Sequence, residues 1–212
     1  LGVEADEARA QDYFRQAAEK GLALAMANLG DGYFNGISGA PDYGKALEWF
    51  RKASEKGSDF ADSRLGWMYQ NGLGVETDLT KALEFYLRAA NQGNAEATNS
   101  VGFFNENGMV VPQDFDRART LYEKAVEAGS ASAMANLASM LYDGRGGEKN
   151  LKRAAELLHM SAEHGNNLAL NSLGWIYEHG EGVDQDYAAA LGWYRKAADA
   201  GVAQAMFNLG RL

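Results

Sequence analysis

Residues 144–150, GRGGEKN, are the stretch best suited to hold a phosphate, because glycines let backbone N–H groups close on an anion. The Gly-Lys-Ser/Thr ending of a phosphate loop is missing, and no strand pattern precedes it. The same register recurs as GLGVETD at 72–78 and GEGVDQD at 180–186, so the stretch reads as a turn between helices. The three histidines are the other candidates for metal or acid–base work. His164 stands just before a closing glycine, the place of Lys20, Lys56 and Gln92, where a partly positive ring suits a helix C-terminus. His179 replaces Asn35 and Asn71, and His159 replaces Arg15 and Arg51. The acidic group Glu178, Glu181, Asp184 and Asp186 spans a helix end, a turn and a cap, and reads as solvated. No nucleophile, base and orienting group can be assembled from these residues. The expectation is a chain that is not an enzyme and uses neither cofactor nor metal.

Composition narrows the partners. With 29 acidic and 20 basic residues among 212, the net charge of -9 repels nucleic acid and anionic membranes. No apolar run approaches the ~20 residues that span a bilayer, so membrane insertion is not expected. Cysteine is absent, which removes disulfides and thiolate chemistry but assigns no compartment. Two prolines against 25 glycines suggest many helices punctuated by glycine. A protein or peptide is the expected partner, and the chain alone is expected to be a monomer.

What positions these residues is a repeat. Glycines recur every 36 residues, as in Gly21, Gly57, Gly93, Gly129, Gly165 and Gly201, and again in Gly36, Gly72, Gly108, Gly144 and Gly180. A further series, Gly2, Ser38, Gly74, Val110, Gly146 and Gly182, has exceptions. Five full units, 22–57, 58–93, 94–129, 130–165 and 166–201, lie between a half-unit at 1–21 and a truncated one at 202–212. Each unit predicts two helices of ~13 residues. The first carries Ala61, Leu65 and Tyr69 on one face and ends at Gly72, since glycine closes a helix without a Cβ penalty. The second starts after an acceptor from the series Asp6, Asp42, Asp78, Asp114, Asn150 and Asp186 and ends at Gly93. Alanine recurs at 46, 82, 118, 154 and 190 and at 25, 61, 97, 133, 169 and 205, letting helices approach closely. Trp49/Phe50 and Trp193/Tyr194 are predicted to fill the space between units. Helices this short gain stability only by packing, so the units must stack. The fold class is all-α, a superhelical α-solenoid of 36-residue helix-turn-helix repeats over 1–212.

The block Ala61, Leu65, Gly66, Tyr69, Gly72, Gly74, Val75, followed by Asp78, Lys81, Ala82, Leu83, Phe85, Tyr86, Ala89, Ala90 and Gly93, resembles the Sel-one-like repeats, a branch of the tetratricopeptide-like solenoids. The resemblance covers essentially the whole chain. It implies a right-handed superhelix that acts as an adaptor or scaffold for other proteins. The unit at 130–165 departs most, with Ala138 for glycine, Leu141 for tyrosine, Leu157/Leu158 for the aromatic pair and Asn150 for aspartate. Asn105 also replaces a tyrosine. The family also contains cysteine-rich secreted members, and this chain is unlike those. Opening inside a turn and stopping inside a first helix, the chain is expected to be a fragment of a longer protein.

One row stands apart from the framework: Asp31, Trp67, Phe103, Ser139, Trp175 and Arg211. At 100° per residue it falls opposite the packing stripe of the first helix, so Trp67, Phe103 and Trp175 should project outward. The resemblance puts that face on a concave groove, with Phe60, Asn99, Leu168 and Asn171 as neighbours. Exposed rings beside amides suit an extended peptide. The expected function is therefore a non-catalytic interaction module binding a protein or peptide in the groove. The alternatives are a structural spacer or regulatory segment beside another domain and, more weakly, a carbohydrate-binding domain.

Overall fold

The computed structural model describes residues 7–37 and 39–212, with side chains from residue 12 onward. The expected places of Gly2, Asp6 and Ser38 in the repeat lie outside the described residues. Twelve helices follow one another among those described: α1 (Glu7–Glu19), α2 (Ala23–Asn35), α3 (Tyr43–Glu55), α4 (Asp59–Asn71), α5 (Leu79–Asn91), α6 (Ala95–Asn107), α7 (Phe115–Glu127), α8 (Ala131–Asp143), α9 (Leu151–Glu163), α10 (Asn167–His179), α11 (Tyr187–Asp199) and α12 (Ala203–Arg211). The chain packs as two compact units, the first ending at Ala97 and the second beginning at Thr98. In the first unit α2 packs on α3 and α4 on α5, and α3 also meets α4. In the second, α8 packs on α9 and α10 on α11, with α9 against α10 and α11 against α12. The fold class is thus the all-α stack of helix-turn-helix repeats, an α-solenoid.

Side-chain chemistry sets the helix ends. Asp42, Asp78, Asp114, Asn150 and Asp186 each accept a hydrogen bond from the backbone N–H three residues on, at 2.9–3.0 Å. Such a cap typically contributes ~1 kcal/mol. Five residues before α5, at Gly74, the chain passes close to another stretch of backbone. A Cβ there would lie 2.7 Å from the carbonyl of Tyr43, and φ is 70°. Both facts call for glycine.

Val110 occupies the same register and adopts φ 67°, a conformation in which a β-branched side chain is strained. Val110→Gly is expected to raise stability by about 1–3 kcal/mol, the strain released at such a residue. A shift of the urea midpoint with unchanged slope would report it, and a destabilised variant would show that the valine, half exposed, is held by packing instead.

The core follows the alanine series. Ala46, Ala82, Ala118, Ala154 and Ala190 are completely buried. Of each aromatic pair the second member is the core residue: Phe50, Tyr86, Tyr122 and Tyr194 are inaccessible, whereas Trp49 and Trp193 are half-buried. Each of these rings lies flat against a glycine twenty residues earlier. A Cβ on Gly30 would come within 2.7 Å of Phe50, on Gly66 within 2.7 Å of Tyr86 and on Gly102 within 2.8 Å of Tyr122, and Gly174 lies closer still to Tyr194. In the fourth repeat the ring is replaced by Leu158, and there alone the glycine position holds alanine, Ala138. The two departures are therefore one packing exchange.

The buried tyrosines also need an acceptor, since an unpaired buried hydroxyl is costly. Each donates to the residue sixteen positions before it: Tyr86 to Gln70 at 2.8 Å, Tyr122 to Glu106 at 2.6 Å and Tyr194 to Glu178 at 2.8 Å. Where the tyrosine hydroxyl is missing, no carboxylate or side-chain amide stands in its slot: Phe34 faces Phe50, and Tyr142 occupies the slot of Leu158. Asp62 is a separate case. It is completely buried at the position held by Met26 and Met134, takes a 2.6 Å bond from Ser54 Oγ and pairs with Arg88 at 3.1 Å. Burial pushes its carboxyl above the ordinary range against these two partners.

Candidate functional site

The fourth repeat's small residues leave room. Ala135, Ala138 and Ser139 on α8, with Leu158 on α9, form one side of a cleft of about 620 Å³ in the second unit, within the range typical of ligand-binding pockets. Leu168, Asn171, Trp175 and His179 on α10 form another side, and Asn208 and Arg211 on α12 close it. Ser139 stands in the row that elsewhere carries Trp67, Phe103 and Trp175, so a bulky residue is absent where the space lies.

Trp175 is the centre of the apolar wall. Its ring meets Tyr142 edge-on at 5.5 Å and stacks on His179 at 4.2 Å. The His179 ring is itself held by Nδ1 donating to the Trp175 carbonyl at 2.9 Å. Two aromatic contacts fix the indole, so a ligand meets a ring already in place and little side-chain freedom is lost on binding. Leu168, at 68% exposed, supplies unpaired apolar surface beside it.

The polar end is built from Glu178 outward. This buried carboxylate accepts from the Tyr194 hydroxyl, and Arg211 Nη2 lies 2.7 Å from both of its oxygens. Burial alone would raise the Glu178 carboxyl, but the bonds from Arg211 and Tyr194 prevail and hold it below its ordinary value. A depressed carboxyl contributes stability above its unfolded pKa and loses it as pH falls through the folded value, so Arg211 is anchored at neutral pH. Burial and the Glu178 charge push the Tyr194 hydroxyl well up, keeping it a donor. Asn208 donates to Asn171 Oδ1 at 3.0 Å, leaving the Asn171 amide hydrogens for another acceptor.

Of the residues expected to line a groove, the structure brings Leu168, Asn171 and Trp175 together in this cleft. Phe103 is 39% exposed on α6 and lies outside the cleft lining. Asn99 is buried and accepts from Asn136 at 2.9 Å. Phe60 and Trp67 belong to the first unit, on one face of α4, exposed by 38% and 46%. Phe60 meets Phe50 edge-on at 6.3 Å, with the Arg64 guanidinium 5.0 Å above its ring. Tyr142, His179, Asn208 and Arg211 were not foreseen as site residues, although Arg211 ends the very row that carries Trp175. His159 bonds the Tyr177 hydroxyl at 3.2 Å and packs edge-on against Trp193, and His164 bonds the Met160 carbonyl, so both act in packing and capping. Among the described residues no group of three or more His, Asp or Glu could hold a metal ion, and no helix is long and apolar enough to cross a membrane.

The model of the Sel1 repeat matches residues 1–22, 23–58, 60–94, 95–130, 131–166 and 167–202. The chain belongs to the Sel1 repeat family. It is similar to a Sel1 repeat protein from Oxalobacter formigenes at 30% identity, over 96% of this chain and 84% of that one, with a TM-score of 0.85. It is also similar to c5321, a protective antigen of uropathogenic Escherichia coli strains that displays this repeat fold, at 34% identity and a TM-score of 0.72; the match covers 95% of this chain and 43% of the antigen. The immunity protein Pa5087 of Pseudomonas aeruginosa shares the fold at 24% identity, over 97% of this chain and 70% of that one, with a TM-score of 0.59. A comparison with curated proteins finds no match. The family fold is that of protein-interaction scaffolds, and the chain is of this class.

Proposed function

We propose that the chain is an interaction module whose second unit grips an extended apolar segment of a partner protein in the cleft between α8, α10 and α12. The observation that carries this reading is the Trp175 ring, held by Tyr142 and His179 over a space that the fourth repeat opens by carrying Ala138, Ser139 and Leu158. Anchors of this kind, a fixed aromatic in a pocket, dominate interface energies. Phe60 and Trp67 on α4 and Phe103 on α6 offer further exposed rings for the same partner class.

Two variants test the cleft from opposite directions. Trp175→Ala removes the anchor, and Ser139→Trp fills the space with the residue the row carries elsewhere. Proteins retained from native extract by the wild type should be lost from both variants, with affinity falling by ~2 kcal/mol or more for Trp175→Ala. Trp49→Ala, on α3, should keep them. A retained set unchanged by both cleft variants would leave the chain a spacer.

A further inference from the structure

One end of the cleft carries an exposed cation. At the α12 end stands Arg211, with 47% of its side chain exposed although Glu178 holds one edge of the guanidinium. A guanidinium has five N–H donors, so one carboxylate does not exhaust it. The Asn171 amide hydrogens lie on the same side, and both contributions are donors. The described residues that line the cleft include Arg211 and His179 and no carboxylate, in a chain whose net charge is -9. At the other end Glu181 and Asp143 lie near enough to the Tyr142 hydroxyl to act on it electrostatically. Asp143 is paired with Arg145 at 3.0 Å. Arg145 also donates to Ser139 Oγ in the cleft wall at 2.7 Å, so the carboxylate there is matched by a cation, and the charge left open to a ligand is that of Arg211.

Glu178 orients that cation. Buried beneath Arg211, it fixes the guanidinium in position without itself being offered to a ligand, since only 6% of the residue is accessible. What a ligand meets is the outer face of an oriented cation beside amide donors, with an aromatic wall next to it. Such a surface pairs with a carboxylate that lies beside large apolar residues.

From these placements we infer that the cleft selects a peptide segment in which large apolar residues, laid on Leu168 and Trp175, adjoin an aspartate or glutamate side chain paired with Arg211. This rests on the cleft reading above and adds the charge of the bound segment. Arg211 is the specificity-determining residue, and Glu178 is a positioning residue.

Random dodecamer peptides displayed on phage, joined to the coat protein by their C-terminus and so lacking a free terminal carboxylate there, are selected on the wild-type chain. The expected result is enrichment of Asp or Glu next to large apolar residues. For the best synthetic peptide, changing its acidic residue to the amide should weaken binding to the wild type about tenfold or more, as a charge-assisted bond implies. Arg211→Gln should cause a similar loss, Arg211→Lys a smaller one, and Trp175→Ala a loss for acidic and amide peptides alike. Because the acid-to-amide change is made in the peptide, it stands even if an Arg211 variant folds poorly. Peptides that need Trp175 but show no preference for an acid overturn the inference and leave the cleft reading intact. Peptides that bind Trp175→Ala and Ser139→Trp as well as the wild type, or a selection that enriches nothing, overturn both.

Discussion

Gly66→Ala should destabilise the first unit by about 1–3 kcal/mol, the usual cost of overpacking, although alanine is the better helix former by about 1 kcal/mol. The reason is the Tyr86 ring, which would lie 2.7 Å from the new Cβ in a space with no freedom to yield. Gly192, inside α11 with nothing within 4 Å of its would-be Cβ, is the control, and Gly192→Ala should stabilise. Opposite signs for the same substitution in two helices separate packing from propensity. The combination Gly66→Ala with Tyr86→Leu reproduces the pair Ala138 and Leu158 found in the fourth repeat. It should lose less stability than the sum of its single changes. Urea denaturation of the four variants and the wild type measures both claims, and strict additivity would show that ring and glycine are not coupled.

Glu106→Ala is expected to be as damaging to the second unit, by about 3 kcal/mol. Glu106 accepts from the buried Tyr122 hydroxyl at 2.6 Å and is paired with Arg145, so its loss strands the hydroxyl and leaves Arg145 only Asp143 and Ser139. Burial holds the Tyr122 hydroxyl protonated far above its ordinary range, and it cannot escape the loss by ionising. Glu106→Gln should cost much less, because Gln70 already serves Tyr86 as a neutral acceptor at 2.8 Å. If Ala and Gln at this position prove equally harmful, the carboxylate charge on Arg145, and not the tyrosine hydroxyl, sets the stability.

Helix number, helix ends and the repeat itself are legible in the sequence because local chemistry writes them. Asp78 must accept an N–H and Gly72 must adopt φ 68°, and few residue types do either. The aromatic row was legible as a direction, since a helix turns by a fixed angle per residue. What lies opposite a side chain is a different matter. Asn99 shares the outward sector with Phe103, yet Asn136 reaches across from α8 to pair with it. Trp175 shares a register with Trp67, yet Tyr142 and His179 hold it half-buried while Trp67 stays exposed. In the sequence the cleft is present only as the missing bulk of Ala138, Ser139 and Leu158, and nothing local connects Leu158 with the other two. The link between Gly66 and Tyr86, or between Gln70 and Tyr86, joins positions twenty and sixteen residues apart, beyond any single helix, although the repeat shows each pair changing together.

The row of acceptors that starts each second helix also sets an order of melting in acid. Backbone and side-chain bonds from Lys45 and Lys81 hold the Asp42 and Asp78 carboxyls below their ordinary value, so these caps last further into acid than a free aspartate would. Each contributes stability above its unfolded pKa and surrenders it as pH falls through the lower folded value. Asn150 makes the same 3.0 Å bond through an amide oxygen that takes up no proton in this range. Acid therefore loosens the starts of α3 and α5 while the start of α9, which carries Leu158 into the cleft, keeps its hold. The repeat that gave up its aromatic ring and its glycine is also the one whose second helix has become indifferent to pH at its first turn.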